Sequence, residues 1–340
     1  MCSAITHTIC QQRVLGISKM TVFEIALGLV LLVAGGDVLV RGSVGLAKRF
    51  GLSELLIGLV LVGFGTSTPE LMTSVLAALD GSAGIAVGNV AGSNIANILL
   101  ILGLTAVICP LRVEPAALLR DGPANLLAAL AFTGLSITGF IGREAGVALV
   151  LTLAAYLVLT YRMEKGTHTP SAELHRGEVQ LVAPPAWKTS LLLSLVMAFG
   201  GLVMILGGAH FLVAGATRLA QAAGISDAVI GVTIVAVGTS LPELVTSVIA
   251  ALKRQTDIAL GNILGSNLFN ILGILGVTAL VSPLQVPQEI MQLDIWVLLG
   301  ATAILLVFSM SGWRICRREG AVMLFAYGAY TTVVLTKALG

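Results

Sequence analysis

Charge is scarce in this chain. Asp, Glu, Lys and Arg make up 11% of its 340 residues, where a soluble domain carries about a quarter. The formal net charge of +2 points to no particular partner. There is no basic patch with interleaved aromatics, so nucleic-acid binding has no support. The four cysteines, Cys2, Cys10, Cys109 and Cys316, are scattered without CxxC spacing, and imply neither a disulfide framework nor a zinc site. Histidine is equally thin: His7 lies near the start, His168 and His175 in a polar stretch, and only His210 in an apolar run. A zinc hydrolase therefore fails on ligand supply. Alternation of period two is missing as well, which argues against a β-barrel.

What the chain has instead is apolar length. Hydrophobic residues make up 57% of it and the mean hydropathy is +1.01. A spanning helix needs about 20 mainly apolar residues, and that ruler marks about ten candidates, at 22–47, 53–79, 85–108, 117–139, 145–161, 190–222, 226–251, 258–281, 291–311 and 318–338. The expected fold class is an all-α polytopic membrane protein, with the lipid bilayer as its surroundings. Residues 1–20 are polar and mixed, with Arg13 and Lys19 ahead of the first apolar run. That run is too long for a signal-peptide core, so the segment reads as an N-terminal extension. With Met20 as the start of translation, residues 1–19 have no structural role.

The chain also repeats itself. GTSTPELMTSVLAAL at Gly65–Leu79 returns as GTSLPELVTSVIAAL at Gly238–Leu252, and GNVAGSNIANIL at Gly88–Leu99 returns as GNILGSNLFNIL at Gly261–Leu272. The offset is 173 residues throughout, ungapped from Gly51–Leu111 against Gly224–Leu284. Leu29–Val40 aligns weakly with Leu202–Val213 at the same offset, so the repeat unit is read as a whole half of the chain. The only long polar stretch, Arg162–Lys188, lies between the fifth and sixth expected helices. It is too short for a regulatory domain and reads as a linker. The expected organisation is a first five-helix half over 21–161 carrying repeat segment 51–111, the linker over 162–188, and a second half over 189–340 carrying 224–284.

Five crossings per half is an odd number. The halves then enter the bilayer from opposite sides, as inverted-topology repeats. At one face the chain collects 14 Lys and Arg residues and at the other 5. The richer face should be cytoplasmic, which puts both termini outside and the linker inside.

Each repeat sets a glutamate in an apolar run. Pro69 lacks an amide hydrogen and its ring crowds the carbonyl four residues back, so the helix should kink or break near Gly65, with Pro242 acting likewise near Gly238. Such irregular backbone needs protein, water or a cation to satisfy it. Thr66 and Ser67 precede Glu70 by four and three residues and so share its helix face, as Thr239 and Ser240 do with Glu243. Ser93 and Asn97 form an i, i+4 pair, repeated by Ser266 and Asn270. Glycines around them, including Gly88, Gly92 and Gly103, let helices approach closely. The donors are all oxygen, a set suited to Ca²⁺ or Na⁺. One Ca²⁺ or two Na⁺ would neutralise the two carboxylates.

Each of these positions also has a blander reading. A proline-kinked helix with Thr and Ser is common in membranes, but an intramembrane Glu costs about 2.5–3.5 kcal/mol even on lenient scales, and here it occurs twice. The small-residue pattern alone signals packing. Asp37 and Arg41 read as an i, i+4 ion pair. Glu24, Glu54, Glu144 and Asp227 sit near expected helix starts and read as caps or dipole partners.

The paired G-T-S-x-P-E and G-S-N-x-x-N phrases resemble the two alpha-repeats of the sodium/calcium exchanger family, within the wider cation/Ca²⁺ antiporter superfamily, and look closest to its compact prokaryotic members. The resemblance covers nearly the whole chain after residue 20. It implies a central Ca²⁺ position flanked by Na⁺ positions, with Glu70 and Glu243 as acidic ligands and Thr66, Ser67, Thr239 and Ser240 beside them. Ser93, Asn97, Ser266 and Asn270 would contribute from the third and eighth helices, and backbone carbonyls near Gly63 and Ala236 would complete the Na⁺ positions. Some relatives, K⁺-dependent exchangers among them, carry aspartate at the position of Asn270, so K⁺ dependence is not expected here and proton coupling has less support. The linker leaves no room for the Ca²⁺-sensing domains of animal exchangers. In the family the first and sixth helices slide across the other eight, and glycine-rich runs (Gly35, Gly36, Gly42, Gly45; Gly200, Gly201, Gly207, Gly208, Gly215) would suit such a contact.

The expected function is a secondary antiporter exchanging Na⁺ for Ca²⁺ by alternating access, in a prokaryotic inner membrane. No cofactor and no obligate protein partner is implied. A Ca²⁺/H⁺ antiporter using the same glutamates and a passive cation channel are the competing readings. An enzyme has no nucleophile–base pair or catalytic metal set to support it.

Overall fold

The structure, a computed structural model, describes residues 19–50, 63–164, 190–254 and 256–339. The extension before residue 19, most of the expected linker, Glu54 and the first part of the second expected helix lie outside the described residues.

Backbone in hydrocarbon must satisfy its own hydrogen bonds, and the described chain is almost wholly helical. In order it runs α1 (Lys19–Arg49), α2 (Gly63–Thr66), α3 (Thr68–Leu79), α4 (Ala83–Ile108), α5 (Pro115–Ile137), α6 (Arg143–Glu164), α7 (Leu191–Ala223), α8 (Asp227–Thr239), α9 (Leu241–Leu252), α10 (Ile258–Val281), α11 (Ile290–Met310) and α12 (Arg317–Leu339). Seven of these are long and apolar enough to cross a membrane, and the bent pair α8–α9 makes an eighth. Helix α5, which carries Arg120, Asp121 and Asn125, is not among them.

Two helices form the centre. In their most apolar stretches α4 is 78% and α10 83% buried, against 17–39% for the other long apolar helices. Their sequences explain this: AGIAVGNVAGSNI and its repeat are apolar or small all round, which suits burial on every side. Helices α1 and α7 lie outside, and expose large apolar side chains such as Phe23, Val30, Leu192 and Phe199. Such surfaces are suited to lipid.

The outer pair meets backbone to backbone. A Cβ on Gly28 would stand 2.8 Å from the Gly208 carbonyl oxygen, one on Gly35 3.0 Å from that of Gly201, and one on Gly42 2.8 Å from that of Ser194. Rising numbers on α1 meet falling numbers on α7, so the two helices run antiparallel. Of the glycines expected at this contact, Gly35, Gly42, Gly201, Gly208 and Gly215 are in it. Gly28 joins them, whereas Gly36 faces Pro69 and Gly200 and Gly207 face open space.

Polar ties fix the remaining helices. The Tyr156 hydroxyl donates to Asp121 Oδ1 at 2.7 Å, joining α6 to α5, and the Tyr330 hydroxyl donates to Asp294 Oδ1 at 2.6 Å, joining α12 to α11. Two short antiparallel ladders close the loops: β1 (Leu111–Arg112) pairs with β4 (Arg314–Ile315), and β2 (Phe140–Ile141) with β3 (Leu284–Gln285). Asp37 and Arg41 form the expected ion pair, at 2.8 Å. Glu144 and Asp227 lie in first turns as expected. Glu24 does not: α1 begins at Lys19, and the Glu24 carboxylate pairs across to Arg218 of α7.

Substituting Gly201→Ala places a methyl 2.4 Å from the Leu39 amide nitrogen. It should destabilise the fold by about 1–3 kcal/mol, read as a lower thermal unfolding midpoint in detergent, while Gly200→Ala leaves the midpoint unchanged or slightly raised.

Candidate cation site

Both helices that carry the glutamates break just before them. Ser67 (φ −91°, ψ 8°) separates α2 from α3, and Ser240 (φ −82°, ψ 8°) separates α8 from α9, which are bent by 45°. The breaks fall two residues beyond the expected positions near Gly65 and Gly238. Pro69 and Pro242 occupy the first turn of the new helix, where a missing amide hydrogen costs nothing. Glu70 and Glu243 follow in that same turn, where backbone N–H groups lack helical partners and favour negative charge.

The breaks change which groups meet. On an unbroken helix Ser67 would sit beside Glu70. In the structure neither break serine caps its own helix. The Ser67 hydroxyl donates to Glu243 Oε1 at 3.0 Å, and the Ser240 hydroxyl donates to Glu70 Oε1 at 3.1 Å. Each repeat thus holds the carboxylate of the other, and the same-face reading of these serines is corrected. Thr66 and Ser266 also approach Glu243, and Thr239 approaches Glu70.

Asn89 organises the first repeat. Its amide donates to the Glu70 carbonyl oxygen (3.2 Å) and to Ser74 Oγ (2.9 Å), while its Oδ1 accepts from Thr239 Oγ1 (3.0 Å) and Ser93 Oγ (3.4 Å). Its counterpart Asn262 donates to Ser247 Oγ at 3.3 Å. Both asparagines stand in the quoted GN of the second phrase, yet motif reading passed over them. The signal was an amide in each of two central helices.

Asn97 donates to Asn267 Oδ1 at 3.0 Å. Helix α4 widens into a π-turn over Ala96–Leu102, and α10 does so over Asn270–Leu275. Such turns recur at functional sites because they re-aim side chains out of helical register. The Ala236 carbonyl oxygen accepts from the Ser240 amide (3.1 Å) and from Ser93 Oγ (3.4 Å). Gly63 opens the described part of α2.

All ten expected ligand side chains are buried, with Glu70 and Glu243 at most 1% exposed. Several of their atoms have no hydrogen-bond partner: Glu70 Oε2, Glu243 Oε2, Asn97 Oδ1, Ser266 Oγ and both polar atoms of Asn270. Buried groups of this kind are normally satisfied. Five oxygens, two of them from carboxylates, are left over where the repeats meet, and a hard cation would satisfy them.

Known proteins resemble this chain over most of its length. A model of the sodium/calcium exchanger protein family matches residues 20–162 and again 193–336. The chain belongs to the sodium/calcium exchanger family. It is 36% identical over 337 residues to the sodium/calcium exchanger MaX1 of Methanosarcina acetivorans, covering 91% of this chain and 96% of that one. It is 33% identical over 287 residues to the inner membrane protein YrbG of Escherichia coli, covering 84% and 87%. Among solved structures it resembles the sodium-calcium exchanger NCX_Mj soaked with 2.5 mM Na⁺ and 0.1 mM Ca²⁺, with a TM-score of 0.62, 34% identity and coverage of 92% and 97%. Membership in this transporter family, together with the apolar helices, makes the chain an integral membrane protein of the cation/Ca²⁺ antiporter type.

Asn89→Ala should remove the donor to the Glu70 carbonyl oxygen and to Ser74 Oγ and one acceptor of Thr239, which keeps its bond to the Val235 carbonyl oxygen. The expected cost is roughly 2 kcal/mol or more, measured by unfolding of the ion-free protein, and larger than that of Asn262→Ala.

Proposed function

We propose that the protein exchanges Na⁺ for Ca²⁺ by alternating access at one site held by Glu70 and Glu243. The observation that carries this reading is the crossed pair of serine–glutamate bonds, which leaves one oxygen of each carboxylate buried and unpartnered, as are oxygens of Asn97, Ser266 and Asn270. These side chains, with Thr66, Ser93, Thr239 and the carbonyls near Gly63 and Ala236, are the proposed ligands for the transported ions.

The chemistry of exchange follows from burial. Moving two uncompensated carboxylates through a closed, low-dielectric interior costs several kcal/mol per charge. One Ca²⁺ or two Na⁺ cancel that charge, so loaded forms cross between the two accesses and the empty form does not. Each trip in one direction then requires an ion in the other.

The proposed frame is ten spans in two inverted halves, 21–161 and 189–340, joined by a cytoplasmic linker over 162–188 and preceded by the extension 1–20. The antiparallel glycine contact of α1 and α7 supports the inversion. It pairs Gly28 with Gly208 and Gly35 with Gly201, and the 173-residue offset turns each pair into the other. Both termini would face outside, from the Lys and Arg distribution. A cleft of about 570 Å³ between α1 and α9 reaches Thr66, and supports access from one side with α1 and α7 as the moving pair.

Uptake of ⁴⁵Ca²⁺ into proteoliposomes loaded with Na⁺, K⁺ or a proton gradient tests the function. Uptake should need an outward Na⁺ gradient and fall at least ten-fold in Glu70→Gln and in Glu243→Gln. Dependence on the proton gradient instead would establish the Ca²⁺/H⁺ reading, and flux without any counter-ion would establish a channel. Cross-linking α1 and α7 to the core should stop exchange, and undiminished exchange would sink the sliding mechanism.

A further inference from the structure

The repeat makes each end of the molecule a control for the other, and one end departs from the pattern. At β1–β4, Arg112 and Arg314 are directly paired across an antiparallel ladder, both exposed. Like charges so placed share a face and repel. The equivalent ladder, β2–β3, pairs Phe140 with Gln285, so the fold itself requires no charge at either position.

A third arginine joins them. Arg254, two residues beyond the end of α9, has φ 59°, and at the 173-residue offset its counterpart is Gly81, with φ 80°. Trp313, ahead of β4, has φ 55°, and the residue ahead of β2 is Gly139, with φ 75°. Arg254 and Trp313 are the only non-glycine residues with positive φ among the described residues. Glycine is the residue that takes this conformation without strain. Arginine and tryptophan take it at a cost, and such outliers persist where surrounding structure or function holds them.

All four residues line one pocket of about 510 Å³, together with Glu114 and Thr256. Among the described residues none of the three arginines forms an ion pair, with Glu114 or with any other carboxylate. Among the described lining residues, three guanidinium groups stand against one carboxylate, a formal charge of +2. A preference for positive residues at one membrane face accounts for their number there. It does not account for a cross-strand arginine pair or for a strained backbone at Arg254.

We propose that this pocket binds a phosphate group, as carried by the headgroup of an anionic phospholipid. Guanidinium forks match phosphate oxygens in geometry as well as charge, and a phosphate between Arg112 and Arg314 turns their repulsion into a bridge. Trp313, 39% exposed, has the amphipathic ring that settles at the headgroup level of a bilayer. Free inorganic phosphate shares the chemistry, and the test separates the two sources.

The full-length protein in uncharged detergent is titrated with phosphatidylglycerol or phosphatidylcholine and followed by native mass spectrometry. In parallel, its thermal unfolding is followed with and without inorganic phosphate. Phosphatidylglycerol should bind at least ten-fold more tightly than phosphatidylcholine. Its affinity should fall roughly thirty-fold in R254Q/R314Q, at about five-fold per arginine facing an anionic headgroup, and rise in E114Q. The gain in E114Q keeps the test decisive should the double variant fold poorly. Stabilisation by inorganic phosphate that is lost in R254Q/R314Q, without lipid preference, keeps the phosphate site and assigns its ligand to solution. Equal responses in wild type, R254Q/R314Q and E114Q overturn the proposal and leave the arginines as determinants of orientation alone.

Discussion

A carboxylate placed where water cannot follow must be answered by something else, and this constraint shapes the whole molecule. Glu70 and Glu243 are each answered by a serine hydroxyl contributed by the opposite repeat. That demand fixes where the helices break, since Ser67 and Ser240 can reach across only by leaving the helical path. It fixes the neighbours as well. Asn89 satisfies the backbone at Glu70 and the hydroxyl of Thr239 in one residue, and the two most buried helices are the ones that supply such amides.

Small residues make the arrangement achievable. A Cβ on Gly92 would lie 2.6 Å from Val232 Cα and one on Gly88 2.9 Å from the Ala228 carbonyl oxygen. Helices α4 and α8 therefore approach to backbone contact, which is what brings Ser93 within reach of the Ala236 carbonyl. In a bilayer no hydrophobic force drives helices together, and close packing of this kind carries the association. The same device at α1 and α7 serves a different end, because there it joins two lipid-facing helices to each other along a strip of glycines.

Much of this was legible in the residues. Long apolar runs gave helix boundaries close to those of α1, α4, α7 and α10, and the duplicated glutamates marked the buried carboxylates. Local reading failed where the chain stops being local. Placing Thr66 and Ser67 on the face of Glu70 assumed a continuous helix, and the crossed bonds exist only because the helix is broken at those serines. Proline reported that a break would occur but misplaced it by two residues, since a proline in the first turn ends the preceding helix further from the carbonyl it would have crowded. Asn89 and Asn262 were seen only as companions of packing glycines. The tyrosine–aspartate ties of Tyr156 and Tyr330 escaped notice because one residue has been gained in the second copy between aspartate and tyrosine, which puts them outside an ungapped comparison.

The crossed serines also bear on how such a chain can be divided. A fragment holding only α1 to α6 contains a glutamate and a serine that do not serve each other, so its carboxylate would remain unanswered. Completion requires a second fragment, and in the inverted arrangement proposed above a half of this length would obtain one from a copy of itself inserted the other way up. Joining two such copies into one chain removes the need to insert both ways. It also frees the two ends to diverge, as Gly81 and Arg254 have done.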